Sequence, residues 1–171
     1  MFKLNFFFVK DDYIDFLQNY EKSKRGFTRV PNMKYDGNRK KKFTFGAVLN
    51  IGKFSYFAPV TSYNKSKSEN ICIPDMKDET KNISSVRFNY MFPVPKNLLK
   101  KVEISTIDDE RYRRVVMHEY FYLKSKKEEV LLKAFGTYKK ITEKTGSKNL
   151  IENSCDFKLL EEAYHKYLSK N

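Results

Sequence analysis

Apolar and polar residues change rhythm along this chain, and the changes mark its elements. Phe2, Leu4, Phe6 and Phe8 alternate with polar or outward positions, which predicts a strand over 2–9. Asp11 or Asp12 then caps a short helix that buries Tyr13, Phe16, Leu17 and Tyr20. Residues 21–42 are rich in breakers and bases and read as a loop. Phe43, Phe45, Ala47, Leu49 and Ile51 alternate again, as do Phe54, Tyr56 and Ala58; with Gly52-Lys53 between them, the two runs predict a hairpin. Short apolar runs at 71–73 and 86–94 suggest further strands, the second placing Val86, Phe88 and Tyr90 together.

Helical spacing takes over in the second half. Thr106 is a candidate cap for a helix with Asp108, Asp109 and Glu110 in its first turn and Tyr112, Val116, Tyr120 and Leu123 on one stripe. Ser125-Lys126-Lys127-Glu128 has the spacing of a reciprocal cap, so a second helix carrying Val130, Leu131 and Ala134 is expected. Ser154 or Asp156 precedes Phe157, Leu160, Tyr164 and Tyr167, with Glu161 and Glu162 assigned outward. The sum is one α+β domain over 1–171, a compact twisted antiparallel sheet or small barrel with helices packed on it. A chain of 171 residues is long enough to bury a substantial core.

Charge narrows the partner. Lys and Arg number 34 against 21 acids, a net +13, and residues 21–42 hold nine bases and two acids, over half of that excess. A polyanion is the expected ligand. Only Cys72 and Cys155 occur, and no run of apolar residues spans a bilayer, so the expectation is a cytoplasmic protein with reduced thiols and no membrane partner.

The chemistry-bearing groups gather around the hairpin. If Gly52-Lys53 makes the reversal, Lys42, at the end of the basic tract Arg39-Lys40-Lys41-Lys42, falls beside Thr61 and Ser62, and Lys65 and Lys67 follow in the adjoining polar loop. Hydroxyls and ammonium groups on one rim suit a phosphodiester. Asp108-Asp109-Glu110, the only acidic cluster, reads as a helix first turn rather than a metal site. His118 and His165 stand in separate helical patterns without ligand spacing, and no phosphate-binding glycine loop occurs. No metal or cofactor is expected. RNA needs neither, because its own 2′-hydroxyl attacks the adjacent phosphorus once aligned. The alternative from composition is a basic RNA- or DNA-binding module without catalysis.

Several stretches together resemble the ToxN/AbiQ family, the endoribonuclease toxins of type III toxin-antitoxin and abortive-infection systems. They are Tyr13-Ile14-Asp15-Phe16-Leu17, Phe45-Gly46-Ala47-Val48-Leu49, Tyr56 to Ser62, Asn89 to Val94, Tyr112-Arg113-Arg114 and Cys155 to Tyr164. The resemblance implies a fold like the SH3-like barrel of the Kid/MazF toxins. It implies metal-independent RNA cleavage that leaves a cyclic phosphate, and inhibition by a tandem-repeat pseudoknot RNA that joins the toxin into a closed RNA–protein assembly. Carried over residue by residue, Thr61 and Ser62 fall on the catalytic hydroxyl pair, Lys42 on the upstream active-site lysine, and Tyr13 on a tyrosine of the first helix. Two positions depart from the pattern. Ser62 is followed by Tyr63-Asn64-Lys65, leaving Lys65 or Lys67 as the downstream lysine. Asn38 stands where the family has a tyrosine, with Tyr35 the nearest substitute. Arg39, Lys40, Lys41, Arg111, Tyr112, Arg113 and Arg114 complete the expected RNA-binding set.

Overall fold

The computed structural model describes residues 3–34 and 40–171. Phe2, Tyr35 and Arg39 therefore lie outside the described residues. Over the described residues the fold is α+β: a seven-stranded antiparallel sheet and five α-helices. The strands are β1 (Asn5–Val9), β2 (Thr44–Ile51), β3 (Phe54–Thr61), β4 (Asn70–Pro74), β5 (Asn82–Arg87), β6 (Phe92–Pro93) and β7 (Leu99–Lys101). They pair in the order β4-β5-β3-β2-β1-β7, with β6 on β3. β4 and β7 end this path and do not pair with each other, so the expected sheet is present but the barrel alternative is not.

The central hairpin turns where the sequence predicts, Ile51 pairing Phe54 around Gly52, whose positive φ of 56° is what a glycine-first two-residue turn requires. The ladder is irregular further on. Leu49 pairs Tyr56, but the next residue of β3, Phe57, pairs Gly46, so β2 carries two extra residues, Ala47 and Val48, both buried. Gly46 is needed there because a Cβ would lie 2.4 Å from the buried Phe57 ring.

The helices are α1 (Asp11–Arg25), α2 (Glu110–Ser125), α3 (Lys127–Thr142), α4 (Lys148–Glu152) and α5 (Phe157–Lys170). α1 runs on into the first five residues of the predicted loop, to Arg25, because Glu21, a polar residue in sequence, is fully buried and bonded. It accepts from Arg25, from Thr28 Oγ1 at 2.9 Å, and from the backbone of Arg29 and of Asp156 (2.7 Å). Asp11 and Asp12 lie in the first turn without capping it. Asp109, not Thr106, caps α2 by accepting from the Tyr112 N–H at 2.9 Å. Ser125 bonds back to the Tyr122 carbonyl instead of capping α3, and Leu131 is outward. The predicted strand over 86–94 breaks after Arg87 into a 3-10 turn, Phe88–Tyr90.

Glu161 also reverses its expected orientation. It is buried and accepts from Tyr56 at 2.9 Å and Tyr138 at 2.7 Å, tying α5 to β3 and α3, while Glu162 stays at the surface and receives the Tyr20 hydroxyl. A buried carboxylate with this many donors is a satisfied hub rather than a liability.

Candidate active site

The end of β3 is the meeting point of three segments. The Val60 N–H donates to the Phe43 carbonyl at 3.2 Å, extending the Thr44–Pro59 pairing by one step. Continued one step further, the same register leads from Phe43 and Val60 to Lys42 and Thr61. On its other side Thr61 pairs with Ser85 of β5. The Lys42 N–H donates to the carbonyl of buried Met33 at 3.3 Å, which anchors its backbone while its side chain is exposed.

Beyond Thr61 the chain is braced. The Tyr63 N–H donates to Thr61 Oγ1 at 3.3 Å, turning Ser62 outward at the tip. Ser85 Oγ donates to the Tyr63 carbonyl at 2.6 Å, and the amides of Asn64 and Asn82 each donate to the other's backbone carbonyl. Buried Asn70 accepts from the Lys67 N–H and donates to the Lys65 carbonyl, both at 2.9 Å. Ser62 and Lys65 are thus presented on a fixed loop. Among the described residues, the Ser62 hydroxyl and the ammonium groups of Lys42 and Lys65 have no hydrogen-bond or ion-pair partner. They are donors held ready for an external anion.

A groove of about 450 Å³, with four lysines against two acids, Glu103 and Asp108, adjoins Lys42. Lys40, Lys41 and Tyr112 line it, and so do Lys100 and Lys101 of edge strand β7. Lys40 lies 5.3 Å from the Tyr112 ring centroid and Lys41 5.5 Å from that of Phe8. Burial raises the Tyr112 phenol above its ordinary pKa. Lys100 and Lys101 were missed in sequence, where an isolated Lys pair gives no sign that β7 closes beside residues 40–43.

Other expected site residues are elsewhere. Tyr13 is fully buried, donates to the Pro93 carbonyl at 2.6 Å and packs edge-on against Tyr167. It is a core residue, with no surface to offer RNA. Arg113 donates to the Ile107 carbonyl at 2.7 Å, and Arg114 pairs with Glu110. Arg111 and Arg114 line a separate depression beside Asp75 and Lys77. Lys67 faces a further pocket with Arg87 and Tyr90, away from Lys42. The two histidines do not meet: His118 bonds the Pro74 carbonyl, and His165 packs on Phe54.

The open antiparallel sheet clasped by helices carries hydroxyls and lysines at the end of its central strand, groups whose chemistry suits a phosphodiester. The chain belongs to the family of the toxin ToxN of type III toxin-antitoxin systems, whose model matches residues 5–165. It is 27% identical to endoribonuclease ToxN of Bacillus thuringiensis subsp. kurstaki over 95% of this chain and 84% of that one. It is 29% identical to endoribonuclease AbiQ of Lactococcus lactis subsp. lactis over 98% and 91%. The structure of AbiQ, a lactococcal anti-phage endoribonuclease, superposes with a TM-score of 0.80 at 27% identity, covering 99% of this chain and all of that one. A type III toxin inhibited by a non-coding RNA pseudoknot matches with the same score at 26% identity, over 98% and 99%.

Proposed function

We propose that this protein is a metal-independent, sequence-specific endoribonuclease toxin, held inactive by a tandem-repeat pseudoknot RNA and acting in abortive phage infection. The observation that carries the reading is the exposed Ser62 at the end of β3, with Lys42 directly before Phe43, whose carbonyl accepts from the Val60 N–H. The substrate 2′-oxygen bonds to the adjacent phosphorus as the bond to the 5′ oxygen breaks. The 2′-hydroxyl loses its proton and the 5′ oxygen gains one, giving a 2′,3′-cyclic phosphate and a 5′-hydroxyl. Ser62, Thr61, Lys42 and Lys65 donate to the non-bridging oxygens, whose charge grows in the phosphorane. One preorganised donor is worth roughly 3–4 kcal/mol, and in-line alignment up to about 10.

Lys65 is preferred to Lys67 as the downstream lysine because Lys67 lines the pocket on the Arg87 side. The groove with Lys40, Lys41, Lys100 and Lys101 supplies phosphate contacts for the inhibitory RNA, in a closed assembly of the kind the family resemblance implies.

The test is incubation of the purified protein with mixed RNA in excess EDTA, followed by analysis of the ends. Cyclic phosphate and 5′-hydroxyl termini are expected. Cleavage that disappears in EDTA and returns with a divalent ion overturns the mechanism.

A further inference from the structure

Arg87 connects the rim to a second site. Its guanidinium lies 4.2 Å from the Tyr63 ring centroid, on the rim loop, and 4.4 Å from that of Tyr90. Arg87 and Tyr90 belong to a pocket of about 590 Å³, a size that holds small ligands. The pocket wall carries Lys67, Arg87 and Lys140 against a single acid, Glu69.

Two polar atoms of residues that line this pocket are not accounted for by the fold. Asn89 Oδ1 and Arg87 Nε are buried and have no hydrogen-bond partner among the described residues. Asn89 is 2% exposed, and its amide nitrogen is already engaged by the Asn153 carbonyl at 3.0 Å, which leaves an acceptor alone. Arg87 offers only donors. Buried polar groups without partners are uncommon and costly, and a ligand that donates to one and accepts from the other removes both deficits.

A nucleobase edge has that character. Donor and acceptor sit side by side, the ring face suits Tyr90, and the attached phosphates suit Lys67 and Lys140. Location points the same way. Arg87 lies two residues beyond Ser85, the strand partner of Thr61, about 7 Å along β5. A nucleotide adjoining the scissile phosphate reaches it.

We infer that this pocket takes a nucleobase of the substrate RNA flanking the cut, and that Arg87 and Asn89 determine specificity at that position. The inference rests on the ribonuclease reading above. The first test maps cut sites of the wild-type protein and Arg87→Lys on the same RNA pool. Base preference should fall about ten-fold or more at one flanking position and stay unchanged at the others. An unchanged preference at every position, or a uniform loss of rate, overturns the inference. So does a loss confined to affinity for the inhibitory RNA, which would assign the pocket to that RNA.

The second test does not depend on the variant's folding. 2-Aminopurine is moved position by position through an oligoribonucleotide with a 2′-deoxy residue at the cut site, and its fluorescence is read on binding to the wild-type protein. A change at a single flanking position is expected, and none at any position refutes the pocket. If the wild-type protein cuts no RNA, the ribonuclease reading fails instead, and the same scan on an unmodified oligoribonucleotide reports on the pocket separately.

Discussion

The buried Ser85 hydroxyl donates to the Tyr63 carbonyl at 2.6 Å and so fixes, from the neighbouring strand, the residue that follows Ser62. Ser85 has no surface and touches no substrate, so it acts through position. Ser85→Ala should cost about 1 kcal/mol of stability. It should lower RNA cleavage about 10-fold or more by loosening the loop. Ser85→Thr, which restores a hydroxyl, should recover part of the rate. A fully active Ser85→Ala would show that the loop holds without this bond.

Ser62→Ala removes an exposed donor and no core contact. Cleavage should fall about 100-fold or more, the effect of losing one oxyanion donor. Thermal stability and affinity for the inhibitory RNA should change little, and toxicity in growing cells should disappear. Undiminished toxicity at normal expression would reduce Ser62 to the tip of a turn.

Affinity for the inhibitory RNA should fall steeply with salt, each neutralised phosphate contributing about 0.7 to 0.9 to the log–log slope. Replacing Lys40 and Lys41 with Ala should flatten the slope, as should Lys100 and Lys101 to Ala, because all four line one groove. Lys42→Ala should impair both binding and cutting, whereas Ser62→Ala should leave the slope as it is. Binding that ignores salt, measured by titration at several ionic strengths, would remove the groove from the interface.

Glu119 offers a pH signature. Burial raises its pKa, opposed more weakly by the Ser84 hydroxyl at 2.7 Å and by His118. Its folded pKa lies above its unfolded one, so the folded state binds more protons between them and the residue's contribution to stability declines as pH rises through that window. Glu119→Gln keeps a partner for Ser84 without the charge. The variant's melting temperature should match the wild type at pH below the ordinary carboxylate range and exceed it increasingly as pH rises through that window. A difference independent of pH would mean that Glu119 is not titrating in the fold.

Alternation located the hairpin and β1, but the one-sided pattern it assigned does not hold, because β2 and β3 are buried on both faces over Thr44 to Leu49 and Tyr56 to Val60. It placed Glu161 outward and ended α1 early for the same reason: a carboxylate in a helix reads as solvated, and no periodicity reveals Tyr56 and Tyr138 waiting from distant segments. The strand expected over 86–94 failed at the point where Asn89 turns inward to bond Asn153. The reasoning that set Lys42 beside Thr61 was incomplete. A regular ladder from Ile51 and Phe54 would set Lys42 against Tyr63, and only the two extra residues of β2 bring it back to Thr61. Arg87 carried no signal, since its importance comes from tyrosines 24 positions upstream and three downstream.

Those two extra residues also decide how the chain should be measured. Counted back from the hairpin turn, the residue abreast of Thr61 would be Thr44; counted from Gly46, it is Lys42. Because the surplus is even, it leaves inward and outward faces undisturbed on both sides. A homologue two residues shorter between its glycine and its turn would assemble the same rim on a plain hairpin. Gly46, pinned by the Phe57 ring, is therefore the fixed mark on the ruler, and gaps in a comparison of such sequences belong on its turn side.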